Sequence, residues 1–226
     1  MTVTPAANMQ QFQEFTYAGG YDYRRGSPHL KHPQLYTWFT SLLRQEVRQM
    51  YAAGLPPTVL EIGAGDGSFV EPLLAAGARV TATEMSRPSV ELLRERFGIN
   101  PSFKVAFDSD GTMSNLDSER YAIVLYASVL HHIPDYLSSI AAVCDRHLLS
   151  GGTVIALQDP LWYASLPRGV HLASEAMYLS WRITCGDLLK GFASRRRRMR
   201  DDLRADEPGD MVEYHVVREG VDQAAI

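Results

Sequence analysis

The sequence predicts an α/β fold, a parallel sheet with helices on both faces. Three observations carry that expectation. A run of strand formers, Val59, Leu60 and Ile62, passes through a glycine turn into a helix start along Thr58-Val-Leu-Glu-Ile-Gly-Ala-Gly-Asp-Gly-Ser-Phe69. Further short apolar runs alternate with segments of helical periodicity, the pattern of strand–helix–strand units with right-handed crossovers. The second apolar run, Ala78-Arg-Val-Thr-Ala-Thr83, ends on Glu84, about twenty residues beyond the turn. Gly63, Gly65 and Gly67 let the backbone take conformations closed to other residues and bring a ligand near main-chain N–H groups. A carboxylate at the tip of the second strand can accept both hydroxyls of a ribose. Turn and acid together point to a nucleoside cofactor.

The charges in the turn say which nucleoside. A dinucleotide fingerprint needs Gly or Ala five positions after its first glycine, and this chain has Ser68 there. A pyrophosphate would also meet Asp66 in the turn and Glu61 at the strand end, each repelling it by roughly a kcal/mol or more when partly desolvated. The same carboxylates suit a ligand carrying an ammonium and a sulfonium, which is S-adenosylmethionine.

Val59-Leu-Glu-Ile-Gly-Ala-Gly-Asp-Gly67, Glu84 and the later Val129-Leu-His-His-Ile133 resemble the class I S-adenosylmethionine-dependent methyltransferases, most closely the small-molecule branch, over roughly residues 56 to 160. The resemblance implies a Rossmann-like sheet and transfer of a methyl group from S-adenosylmethionine to a small acceptor, at oxygen or nitrogen. Gly63, Ala64, Gly65 and Asp66 would hold the methionine end, with Glu61 beside them, and Glu84 and Met85 the ribose side.

Composition sets the bounds. The chain has 226 residues, 46% hydrophobic and 21% charged, enough for one domain with a full core and short for two. A net charge of -4 gives no general pull toward nucleic acid or an anionic membrane. Cys144 and Cys185 form no metal-ligand spacing and fit a reducing compartment. No signal-like start and no apolar run near about 20 residues is visible, so the expected setting is soluble and cytoplasmic.

Residues 1–32 read as an N-terminal cap segment, 33–160 as the S-adenosylmethionine-binding domain and 161–226 as a helical lid with a truncated C-terminal part. Phe12, Phe15, Tyr17, Tyr21, Tyr23 and Tyr36 make the first stretch too aromatic for a solvated linker. It either packs on the domain surface or, as the resemblance implies, covers the site. Tyr17, Tyr21, Tyr23 and Arg24 are the covering candidates, since a tyrosine face near a sulfonium gains about 0.5–2 kcal/mol.

From Pro33 to about Ala53 the spacing of Leu35, Trp38, Phe39, Leu42, Leu43, Val47 and Met50 predicts a helix, stopped by Gly54 and Pro56-Pro57. After the first strand a helix from about Ser68 to Ala76 closes on Gly77. Ser86 is placed as the N-cap of the next helix, which buries Val90, Leu93 and Phe97. Phe103–Phe107 is the third strand, followed by Asp108-Ser-Asp-Gly111. By the resemblance Asp108 and Ser109 contact adenine, with Asp110 as the alternative and a plain Asp-Gly turn as the bland reading.

Tyr121–Ala127 is the fourth strand, and backbone at Ala127 and Ser128 would lie near the methionine part. The family usually has Asp at the place of Ala122, a departure that removes a structural contact. His131 and His132 are either packed residues or a base. The next helix, from Pro134-Asp135, should turn Leu137, Ile140, Ala141, Cys144 and Leu148 inward. Leu149-Ser-Gly-Gly152 reads as the turn into a fifth strand, Thr153–Leu157. Asp159 stands at that strand's carboxyl end, where it can touch substrate, hold a base, or serve as a turn acid before Pro160.

Beyond Leu161 the aromatic residues Trp162, Tyr163, Tyr178, Trp181 and Phe192 suggest an apolar or ring-containing acceptor, though core packing explains them equally. Arg195-Arg-Arg-Arg198 and Arg200 read as a solvated face or an anion site. His215 joins His131 and Asp159 as a base candidate, or is a surface histidine. Val221–Ile226 should begin the family's last helix, which leaves a five-strand sheet of order 3-2-1-4-5 without the family's last two strands. The exposed edge of strand five would then need a segment or a second copy of the chain to cover it, a homodimer. No metal, nucleic acid or membrane partner is expected.

Overall fold

The computed structural model describes residues 10, 11, 14, 27–109, 111–116, 118–133, 135–160, 162–185 and 220–226, with 189, 192, 193, 196, 197, 200 and 202 between the last two segments. Five parallel strands lie in the order β3-β2-β1-β4-β5: β1 Thr58–Ile62, β2 Arg79–Glu84, β3 Phe103–Phe107, β4 Tyr121–Ala127 and β5 Leu148–Leu157. Val59 stands opposite Val80 on one side and Ile123 on the other, so β1 is the centre of the sheet. All five of its residues are buried, as a strand covered on both faces requires.

The pleat divides the core. Val59, Ile123 and Leu125 face a cluster with Leu43, Val47, Leu73, Leu93 and Phe97. Those residues come from helices α1 (Pro33–Ala52), α2 (Val70–Ala75) and α3 (Arg87–Phe97). Leu60, Ile62, Val124 and Tyr126 face the opposite way, toward Ile140 and Val143 of α4 (Tyr136–His147) and toward Leu130 and Met113. Helices therefore cover both faces. A further helix, α5 (Arg168–Cys185), follows β5. None of the described helices is long and apolar enough to cross a membrane.

Most elements stand where the sequence puts them, with some shifts. Ser86 caps α3 by accepting from the Ser89 N–H at 3.4 Å. The helix after the glycine turn starts at Val70, two residues later than read, because Gly67 and Ser68 still belong to the turn. Trp38 lies 59% exposed on α1, while Thr40 takes a buried place. On α4 the buried stripe is Ile140, Val143 and His147; Leu137 and Ala141 face solvent, and Leu148 already belongs to β5.

Leu149–Gly152 is not a turn before β5 but part of it. Tyr121 pairs with Leu148 and Ile123 with Thr153, so the extra residues form an irregularity in the ladder. Gly151 takes a left-handed φ of 78°, and a Cβ on Gly152 would stand 2.8 Å from the Ala122 carbonyl oxygen. Ala122 itself donates its N–H to Thr58 Oγ1 at 3.0 Å, so a hydroxyl on β1 fastens the start of β4. At the C-terminal end Val221 is buried and donates its N–H to the Pro160 carbonyl, 2.8 Å away, and Asp222 N–H reaches Tyr136 Oη. The residues after it make a turn rather than a helix.

Candidate active site

The carboxyl ends of β1, β2, β4 and β5 bring the chemistry-bearing side chains to one end of the sheet. At the centre is the turn after β1. Gly63 has φ 66° because a Cβ there would meet Val129 Cγ2 at 2.5 Å, and Gly67 has φ 77° because a Cβ would meet Phe97 Cε2 at 2.5 Å. Two of the three glycines thus allow close packing by the β4 loop and by α3.

The turn's donors point inward. Ala64 N–H goes to the Thr83 carbonyl at 3.1 Å, Gly67 N–H to the Ala64 carbonyl at 2.9 Å, and Ser68 N–H to Asp66 Oδ1 at 3.0 Å. Gly65 N–H goes to Glu84 Oε1 at 2.6 Å, so the carboxylate read as a ribose ligand also clamps the glycine turn. Its other oxygen accepts from Met85 N–H at 2.9 Å and Ser86 N–H at 3.4 Å. Burial raises the Glu84 carboxyl above its usual range, and these three N–H groups work against that rise.

Glu61 sits at the end of β1, 1% exposed, and among the described residues its Oε2 has no hydrogen-bond partner. Burial, with Asp66 and then Glu84 adding like charge, pushes it up to about 8. Glu61, Asp66 and Glu84 gather three carboxyl groups at this end of the sheet. N–H groups already bonded within the turn, beside three carboxyl groups, suit a cation better than a pyrophosphate. An S-adenosylmethionine amino group fits the buried Glu61 oxygen, and the residues present suit that cofactor.

Asp108 is buried at the end of β3, where its Oδ2 accepts from Met113 N–H at 3.2 Å and its own N–H reaches the Glu84 carbonyl at 2.9 Å. Ser109 follows it, half-buried. The carboxylate therefore organises the loop that the sequence assigned to adenine, and the two roles use different lone pairs.

His131 and Asp159, two separate candidates in the sequence, meet. His131 Nδ1 lies 2.7 Å from Asp159 Oδ1, and the His131 main-chain N–H donates to the same oxygen at 3.2 Å. Both side chains are buried, 3% and 5% exposed. Their strands are neighbours, and each strand ends on a left-handed residue, Ser128 with φ 59° after β4 and Gln158 with φ 62° after β5. Ser128 N–H also bonds the Leu157 carbonyl at 2.8 Å, which locks the two strand ends together. The His132 ring is centred 4.1 Å from that of His131. Desolvation, with His131 adding to it, holds His132 well below the usual imidazole range, so it is neutral at pH 7.

Tyr36 and Arg96 are neighbours of the site that the sequence did not assign to it. Tyr36 Oη donates to the Ser68 carbonyl at 2.8 Å, and the Arg96 guanidinium donates to the Asp66 carbonyl. Tyr36 carried a signal, as the last aromatic of the covering stretch, but its tie to the turn depends on how α1 crosses α2. Tyr17, Tyr21, Tyr23, Arg24, Asp110 and His215 lie outside the described residues.

A family described as "Methyltransferase domain" matches residues 60–154. The ubiquinone biosynthesis O-methyltransferase of Proteus mirabilis (strain HI4320) is 28% identical over 144 residues, 54% of this chain and 58% of that protein. The ribosomal RNA small subunit methyltransferase A of Synechococcus sp. (strain JA-2-3B'a(2-13)) is 40% identical over 81 residues, 35% of this chain and 28% of that protein. The chain thus spans less than two thirds of the curated relatives it matches. The structure of the N-methyltransferase NodS from Bradyrhizobium japonicum WM9, in complex with S-adenosyl-L-homocysteine, superposes with a TM-score of 0.52 at 19% identity, covering 70% of this chain and 76% of that one. The match over residues 60–154 and the sheet order agree on the class I, Rossmann-like methyltransferase fold.

Proposed function

We propose that the protein is a methyltransferase that binds S-adenosylmethionine at the glycine turn and methylates a small-molecule acceptor, with the His131–Asp159 pair taking the acceptor's proton. The observation that carries the cofactor reading is the glycine turn, in which the N–H groups of Ala64, Gly65, Gly67 and Ser68 are satisfied within the protein while Glu61, Asp66 and Glu84 converge. A nicotinamide dinucleotide would bring two phosphates to a place where these four N–H groups are already taken and carboxyl groups gather. When bound, S-adenosylmethionine supplies a methyl group activated by the adjoining sulfonium. Glu61 and Asp66 would hold its amino end, Glu84 the ribose, and the Asp108 carboxylate with the Ser109 N–H the adenine.

The chain's own work is alignment, exclusion of water and handling of one proton. Asp159 accepts from Nδ1–H of His131, which fixes the tautomer and leaves Nε2 as the atom that takes a proton. Pairing with a carboxylate also stabilises the imidazolium that forms. A neutral amine acceptor can dispense with a base, and a hydroxyl cannot. The buried pair therefore favours a hydroxyl acceptor, in line with the name of the O-methyltransferase relative. The net charge of -4 supports a small acceptor over RNA. α5, with Leu172 64% and Met177 73% exposed, supplies apolar surface next in the chain for shaping an acceptor pocket.

Calorimetric titration with S-adenosylmethionine, S-adenosylhomocysteine and NADH tests the cofactor, followed by methyl-transfer assays on phenolic, alcoholic and amine acceptors and a short ribosomal RNA hairpin. Micromolar binding of the first two ligands, weakened in Glu84→Ala, is the expected result. Binding of NADH alone would overturn the reading. Binding of the adenosyl ligands with no transfer to any acceptor would point to a nucleoside-binding protein without turnover.

A further inference from the structure

Three carboxylates share the end of β1, and they are not equivalent. Glu84 accepts three main-chain N–H groups, from Gly65, Met85 and Ser86. Asp66 is half-buried and accepts both N–H and O–H of Ser68, at 3.0 and 2.6 Å. Glu61 is 1% exposed, and among the described residues its Oε2 has no donor. Hydrogen bonds to the ionised form stabilise it, and burial without them disfavours it. Of the three, Glu61 is therefore the carboxyl least stabilised in its ionised form.

We propose that Glu61 is protonated in the ligand-free protein and gives up that proton to solvent when the ammonium end of the adenosyl cofactor is seated, so that cofactor binding is coupled to proton release. This rests on the cofactor reading above. The groups that act on Glu61 are all of one sign: Asp66 on the turn and Glu84 on β2. Its neighbours across the sheet, Ala82 on β2 and Leu125 on β4, carry no charge. α3 brings Arg96 to the turn, where it bonds the Asp66 main-chain carbonyl, and α1 brings the Tyr36 phenol to the Ser68 carbonyl. A buried carboxyl pushed up to about 8 holds its proton at neutral pH. A cation placed against it removes the reason for the rise, and the carboxylate that forms pairs with the ammonium. The exchange balances: one proton leaves Glu61, and one ion pair forms.

The experiment is titration calorimetry of the full chain with S-adenosylhomocysteine at pH 7 in phosphate and in Tris, whose ionisation heats differ. The slope of observed heat against buffer heat counts protons. The expected value is about one proton released per ligand at pH 7, falling toward zero above pH 9, with affinity rising up to about tenfold per pH unit between pH 6 and 8. Methylthioadenosine, the same nucleoside without the amino acid end, should bind with a heat that does not depend on buffer. Glu61→Gln, whose amide imitates the protonated acid, should bind S-adenosylhomocysteine with no proton release. Buffer-independent heat for S-adenosylhomocysteine in the wild-type protein would overturn the proposal while leaving the cofactor reading intact. Equal release with methylthioadenosine would overturn it too, because the proton would then answer to the nucleoside. Failure of S-adenosylhomocysteine to bind at all would overturn the cofactor reading and this one with it. The two-ligand comparison on the wild-type protein stands even if the variant does not fold.

Discussion

Asp159 gives one oxygen, Oδ1, to two donors of the same residue, the main-chain N–H and the ring Nδ1 of His131. That arrangement fixes the position of the loop and the orientation of the ring together, so changing each partner should have a different effect. His131→Ala should lower kcat by roughly 10²–10⁴-fold on a hydroxyl acceptor and leave S-adenosylhomocysteine affinity within about twofold. Asp159→Asn keeps the shape but lets the amide donate to Nδ1, which reverses the tautomer. Its kcat should fall comparably, and the acidic limb of the pH–rate profile should move. A loss below about threefold in both variants would place the proton elsewhere and favour an amine acceptor. The residues of this pair were legible one at a time, from a histidine pair after one strand and an acid after the next. Their meeting was not, because it depends on β4 and β5 being neighbours and on Ser128 and Gln158 bending both strand ends. Glu84 was legible for the opposite reason: its distance from the glycine turn reflects the length of one strand–helix–strand unit.

The glycine turn is as much a packing joint between elements as a ligand cradle. Phe97 and Leu93 of α3 close on Gly67, and Val129 of the β4 loop closes on Gly63. Gly67→Ala should therefore cost about 1–2 kcal/mol for a left-handed Cβ and a further roughly 1–3 kcal/mol for overpacking against Phe97. Gly54→Ala is the control, since Gly54 has φ 72° with nothing within 4 Å of a Cβ, and should cost only the first amount. Urea denaturation of both variants separates the two contributions; equal losses would mean that α3 shifts to make room. Strand limits were readable because apolar runs are bounded by Gly, Pro and charged residues, and β1, β3 and β4 stand as read. Leu149–Gly152 was misread because two glycines signal a turn as strongly as they signal an irregular strand, and only the pairing with Tyr121 and Ile123 decides. The face of α4 was misread because Leu137 and Val143 fit helical templates differing by part of a turn, and the sheet selected the second.

Across the whole molecule, a sheet that converges carboxylates at one end carries a cost that depends on pH. Glu61 is raised from 4.5 to about 8, and Glu84 moves in the same direction. Between those two values for Glu61 the folded protein keeps a proton that the unfolded chain has lost, so stability falls as pH rises through that window. Below about pH 4.5 both states are protonated and no ionisation cost arises; above about pH 8 both are ionised and the full ionisation cost stands, on the order of 5 kcal/mol for a displacement of this size. The amide of Glu61→Gln does not titrate. Urea unfolding of wild type and Glu61→Gln at pH 5, 6.5, 8 and 9 should show the variant gaining on the wild type from pH 5 to 8 and holding a constant advantage above that. Parallel curves would mean that Glu61 is already ionised in the folded protein and that the cluster is balanced by a cation of its own. The same free energy should reappear in binding: S-adenosylhomocysteine should raise the wild-type melting temperature more at pH 8 than at pH 6 at equal ligand concentration. In Glu61→Gln that difference should vanish, since only the wild-type carboxylate gains from a seated cation.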